Sequence, residues 1–421
     1  MQSSIKLRLT VMNFLQFAVW GAYLTSMGRY LGTAGFGSEI GNFYAMQGLV
    51  SLFMPALMGI VADRWIPAQR LLGVCHTLAG MLMLGVFLYT QTDAPSYPSL
   101  FALYSLSVAF YMPTLALSNS VAYTSLDQAG LDLVKSFPPI RVFGTVGFIC
   151  TMIAVSLLGL EATSGQFAVS AIISLVLAVY AQTLPNCPTA PKGQSKSLVE
   201  ALGLRAFVLF KQRKMALFFI FSMLLGVSLQ ITNGFANPFI STFGEIPAYA
   251  DTFGVKYANI LISLSQLSET LCILLIPFAL RRFGIRRVML IAMVAWVLRF
   301  ALLGLGNPGS GVWLFLLSMI VYGVAFDFFN VSGSLFVDKE TDPSIRSSAQ
   351  GLFMIMTNGI GATLGSLGAQ AVINRFVYSQ SEATAILSGW TTSWYIFAGY
   401  AAVVAVLFAL LFRYNTATEA K

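Results

Sequence analysis

Asp327 stands in the run Tyr322-Gly323-Val324-Ala325-Phe326-Asp327-Phe328-Phe329-Asn330, deep in an apolar stretch, with no charged residue within ten positions on either side. An ionised, unpaired carboxylate near a bilayer centre costs on the order of 3 kcal/mol or more, so such a residue faces a cavity, a partner or a proton path. Its chemistry is reversible proton binding. Glu269 lies midway along another apolar stretch, three residues after Gln266, a spacing that sets both side chains on one helix face. Gln230 and Asn233 repeat that spacing and supply amide donors and acceptors. Arg141, Thr145 and Phe148 share one face of a further stretch, and Tyr322 and Phe326 meet at i and i+4 beside Asp327. Carboxylates, amides, a hydroxyl, a guanidinium and aromatic rings suit an uncharged, ring-bearing, hydroxyl-rich solute. A catalytic constellation is missing, and so is a soluble effector domain, which argues against an enzyme or a receptor.

Several of these residues have a second reading. Arg141 lies about one turn inside its stretch and could snorkel to the interface, and Gln230 and Asn233 could hydrogen-bond across helices. Tyr322 and Phe326, taken alone, would pass as core aromatics. Arg299 falls within a span, and a structural ion pair is expected of it. His76, near the end of its stretch, reads as a hydrogen-bonded packing residue. Glu269 and Asp327 are hardest to explain without function.

The elements that must position these side chains are membrane helices. With 57% apolar and 10% charged residues and a mean hydropathy of +0.78, the chain has lipid as its main solvent. Spans are expected at 8–30, 39–61, 70–91, 98–124, 139–160, 165–185, 215–243, 257–280, 288–306, 312–337, 346–374 and 391–413, most reaching the roughly 20 residues that crossing requires. The first run is too long for a signal peptide and lacks a small-residue cleavage site, so it is expected to stay. Placing both termini in the cytoplasm puts all but five of the 24 Lys and Arg residues on that side, the five being Arg29, Arg141, Lys256, Arg299 and Arg375. The net charge of +8 therefore reports topology and not nucleic-acid binding. Cys75, Cys150, Cys187 and Cys272 have no disulfide or metal-ligand spacing, and no cofactor is expected.

Residues 1–185 form one expected six-helix bundle and 215–421 another, joined by a linker at 186–214 that combines Pro, polar and basic residues. Leu198, Ala201, Leu202, Leu204, Phe207, Val208 and Phe210 recur there at near-helical spacing, which predicts an amphipathic surface helix. Pro113 and Pro238 predict breaks or kinks in their spans. Gly144, Gly147 and the run Gly359-Ile360-Gly361-Ala362-Thr363-Leu364-Gly365 predict close helix packing. Gly59-Ile60-Val61-Ala62-Asp63-Arg64 and Arg281-Arg282-Phe283-Gly284-Ile285-Arg286-Arg287 sit half a chain apart, each after the second span of its half. A duplicated six-helix unit produces that pattern, as in major facilitator transporters. The first run resembles the G-x-x-x-D-R loop of that superfamily, although Ile66 and Pro67 stand where a second Gly is usual.

The runs Phe137-Pro138-Pro139-Ile140-Arg141, Tyr111-Met112-Pro113-Thr114, Phe221-Ser222-Met223-Leu224-Leu225-Gly226, Gln230-Ile231-Thr232-Asn233 and Ala325-Phe326-Asp327-Phe328-Phe329-Asn330 look like those of the bacterial nucleoside:proton symporters. The resemblance covers nearly the whole chain. It implies an all-α major facilitator fold of twelve transmembrane helices and proton-driven uptake of nucleosides such as uridine and adenosine across the inner membrane, by rocking of two halves. It also implies nucleoside contacts at Arg141, Thr145, Phe148, Gln230, Asn233, Gln266, Glu269, Tyr322 and Phe326, with Asp327 as the proton-linked acid, in a monomer needing neither metal nor nucleic acid. The base preferred is left open, and a proton-coupled sugar importer or drug exporter is the rival reading.

Overall fold

Hydrocarbon offers no hydrogen bonds to the backbone, so a chain of this composition can cross a bilayer only with its peptide groups paired internally. In the computed structural model, which describes residues 2–189, 204–343 and 345–414, it does so with helices. Among the described residues, nine helical stretches have the length and hydropathy to cross. One of them, Ala258–Leu305, is broken at Gly284 (φ 75°, ψ 162°) and supplies the eighth and ninth spans. Gln2–Gly21 with Met27–Thr33 forms the first span and Gly165–Ala181 the sixth, completing the expected twelve among the described residues.

Gly284 is the one residue between those spans that leaves the helical region, and its positive φ is why glycine stands amid four arginines. Arg286 reaches from this corner to the end of the last span, Ala383–Leu411, donating from Nε to the Phe412 carbonyl (2.6 Å) and from Nη2 to that of Ala409 (2.7 Å). A cation thus satisfies carbonyls that have no partner within their own helix.

No helix break falls at Pro113 or Pro238. Helices run unbroken through Pro113 (Tyr97–Gln128) and Pro238 (Ile231–Thr242). The seventh span parts instead at Gln230, between Arg213–Leu229 and Ile231–Thr242, eight residues before its proline. The second span parts at Leu52 and Phe53, where Pro55 opens the helix Met54–Arg64. The eleventh widens into a π-helical turn over Ile355–Gly361, a local irregularity that often accompanies function.

The described residues fall into two compact units, Met1–Phe36 with Met46–Leu202, and Gly37–Ala45 with Gly203–Lys421. Short Gly37–Ala45 thus packs with the second unit although it precedes most of the first. Glycines serve the same purpose in both. In the first unit a Cβ on Gly147 would lie 2.1 Å from the Phe14 carbonyl oxygen and one on Gly21 2.4 Å from that of Phe148. In the second, Cβ atoms on Gly226 and Gly365 would lie 2.3 Å and 2.0 Å from the carbonyls of Thr357 and Val227. The first and fifth helices of each half therefore touch backbone to backbone, which only glycine allows.

Of the expected linker helix, Leu198, Ala201 and Leu202 lie outside the described residues. Leu204–Lys211 is a 3₁₀ helix rather than an α-helix, with Ala206 and Leu209 buried and Phe207 and Val208 about half exposed (45% and 50%). Three residues per turn bring 206 and 209 into line, so the buried face differs from the one a 3.6-residue period predicts.

Candidate functional site

The polar residues singled out in the sequence gather in two clusters, one within each unit. In the second unit, Asn233 donates from Nδ2 to Gln230 Oε1 at 2.8 Å. That bond joins the pair to each other across the break in the seventh span. Tyr322 and Phe326 of the tenth span, Val312–Glu340, stack with ring centroids 5.6 Å apart at 15°. The Gln266 side chain reaches the Tyr322 phenol, which also lies in the fields of Glu269, Arg299 and Asp327. Asp327 is 5% exposed, its Oδ2 has no hydrogen-bond partner, and Glu269 is the charged group acting on it. A carboxylate buried in a span is costly unless it is neutralised or paired.

In the first unit, Arg141 lies two turns into Leu133–Leu157 and sets its guanidinium carbon 4.0 Å from the ring centroid of Phe17. A stacked guanidinium is fixed in plane, unlike one reaching for an interface. One turn further on is Thr145, half-buried, and then Phe148, buried and edge-on to Trp20 at 6.4 Å. Trp20 in turn packs on Tyr111 at 6.0 Å. Phe17 and Trp20 carry no signal of their own in the sequence, because their partners come from distant helices.

His76 is the buried packing residue expected of it. Its ring nitrogens meet Ser174 Oγ at 2.9 Å and Gln16 Oε1 at 2.8 Å, while Gln16 Nε2 donates to Thr114 Oγ1 at 2.7 Å. This chain ties the first, third, fourth and sixth spans together.

Arg299 departs from expectation. It is 2% exposed, and among the described residues it forms no ion pair. Its donors go to Ser265, Ser318 and Thr232, and its guanidinium carbon lies 4.4 Å from the Tyr322 ring centroid. Hydroxyls and a carbonyl have taken the place of the expected carboxylate. Its position inside a span was the only hint the sequence held.

A twelve-helix membrane protein with buried carboxylates, amides and stacked rings in its bundles, and with a duplicated six-helix plan, is a major facilitator transporter and not an enzyme. The family model described as "Nucleoside H+ symporter" matches residues 3–417, and the chain belongs to that family. It is 49% identical to the xanthosine permease of Escherichia coli over 98% of this chain and 97% of that one. It is 47% identical, over the same shares, to the nucleoside permease NupG of Escherichia coli. The crystal structure of nucleoside transporter NupG superposes with a TM-score of 0.89 at 46% identity, covering 98% of this chain and all of that one (100%).

Proposed function

We propose that this chain takes up nucleosides together with protons across the bacterial inner membrane, acting as a monomer with both termini in the cytoplasm. Asp327 is the proton carrier. Arg141, Thr145, Phe148, Gln230, Asn233, Gln266, Glu269, Tyr322 and Phe326 are the substrate contacts, the amides and Glu269 bonding ribose hydroxyls and base edges and the aromatic rings covering the base. Access to bound substrate alternates between the two faces of the membrane.

The observation that carries the coupling assignment is Asp327 itself: 5% exposed, with Oδ2 unpartnered and Glu269 acting on it. Protonation removes the cost of a buried charge and with it the repulsion between the two carboxylates. Substrate transfer is therefore easiest with the proton aboard, and coupling requires that the empty carrier return without it. An inward proton gradient then drives accumulation.

The test is uptake of labelled uridine by proteoliposomes under an imposed proton gradient, with competition by nucleosides, free bases and sugars. Accumulation that collapses when the gradient is discharged, and competition by nucleosides alone, support the proposal. Competition by sugars but not nucleosides overturns it in favour of a sugar importer.

A further inference from the structure

Of the four charges singled out well inside spans, Arg141, Glu269, Arg299 and Asp327, Arg299 is the one to which the proposed contacts assign no task. We propose that it is a positioning residue for nucleoside recognition, a single buried guanidinium that fixes from behind the three helices carrying the second unit's polar contacts. The proposal rests on the substrate-contact reading given above.

The geometry is one of adjacency. Nη2 donates to Thr232 Oγ1 at 3.2 Å, and Thr232 directly precedes Asn233 and follows Gln230 by two. Nη1 donates to Ser265 Oγ at 3.3 Å, and Ser265 directly precedes Gln266. Nη1 also donates to the Ser318 carbonyl at 2.9 Å, one turn before Tyr322, and Ser318 Oγ returns a bond to the Arg299 carbonyl at 2.9 Å. The guanidinium carbon faces the Tyr322 ring at 4.4 Å, while Trp296 holds the same ring edge-on at 5.9 Å and Phe326 stacks on it at 5.6 Å. Each grip falls on a proposed contact or within a turn of one.

Burying a guanidinium without a carboxylate in a membrane span is expensive, and packing alone would be served better by an apolar side chain. What a guanidinium adds is a rigid planar fork that holds several acceptors and an aromatic face at once; an ammonium is a point charge on a flexible stem and cannot. A residue of this kind orders its neighbours before substrate arrives, and so lowers the ordering cost of binding.

The experiment measures KM and Vmax for uridine in proteoliposomes at matched folded protein, with binding affinity alongside. The variants are Arg299→Lys, Thr232→Val and Ser265→Ala, and Tyr322→Phe and Gln266→Ala report on the contacts themselves. A positioning role predicts that Arg299→Lys raises KM about tenfold while Vmax stays within about twofold, the signature of lost binding energy. Thr232→Val and Ser265→Ala, which leave the charge in place, should each raise KM severalfold, and Arg299→Lys should be non-additive with Tyr322→Phe. If Tyr322→Phe and Gln266→Ala raise KM but the Arg299, Thr232 and Ser265 variants lower only the yield of folded protein, Arg299 is interhelical glue and the inference fails. If Tyr322→Phe and Gln266→Ala also leave KM unchanged, the contact reading fails with it.

Discussion

Asn233 Nδ2 donates to Gln230 Oε1 at 2.8 Å, where the seventh span parts into two helices. The bond uses one Asn233 N–H and one lone pair of Gln230 Oε1, which leaves the Gln230 NH₂, the Asn233 carbonyl, the second Asn233 N–H and the second Oε1 lone pair with bonding capacity. The two side chains therefore form one preorganised unit rather than two independent groups.

Gln230→Ala and Asn233→Ala should each weaken nucleoside binding by roughly 1–3 kcal/mol, the range for loss of a buried hydrogen-bond partner. Because the two residues bond each other, the double variant should lose less than the sum of the singles. Calorimetric titration of purified protein measures both quantities. Additive losses would show that the pair does not act as a unit.

Asp327→Asn keeps the shape and the hydrogen-bonding capacity of the side chain but cannot carry a proton. Concentrative uptake should vanish, while binding, and exchange of labelled for unlabelled nucleoside, persist. Gradient-driven accumulation at the wild-type level in this variant would remove Asp327 from the mechanism.

Arg141→Lys should impair transport strongly, because an ammonium cannot reproduce a planar fork stacked 4.0 Å from the Phe17 ring centroid. Lys135→Arg, on an exposed side chain near the start of the same helix, serves as control and should transport normally. The comparison is uptake at equal membrane abundance. Near wild-type rates for Arg141→Lys would return Arg141 to an interfacial role.

Gly365→Ala would place a methyl group 2.0 Å from the Val227 carbonyl oxygen, so the helices must separate. Overpacking of this kind costs typically about 1–3 kcal/mol. A lower thermal unfolding midpoint in detergent is expected, alongside little change for Gly368→Ala in the same helix, where the added carbon meets nothing within 4 Å. Equal midpoints would mean that the contact is not tight.

The spans were legible in the chain itself, because the bilayer imposes length and hydropathy on every crossing helix and makes each intramembrane charge conspicuous. Face sharing within a helix was legible for the same local reason: the stack of Tyr322 on Phe326 follows from spacing alone. Partners across helices were not. That Arg141 lies on Phe17, that His76 is held by Gln16 and Ser174, and that Arg299 abandons the expected carboxylate for Thr232, Ser265 and the face of Tyr322 depend on which helices touch and at what rotation. Helix breaks were decided at the same level. Prolines at 113 and 238 left their helices continuous while Gln230 parted its own, since backbone groups freed in a span are re-satisfied, or not, by the surroundings rather than by the local sequence. Periodicity fixes which side chains share a face; only the packed bundle fixes what that face meets.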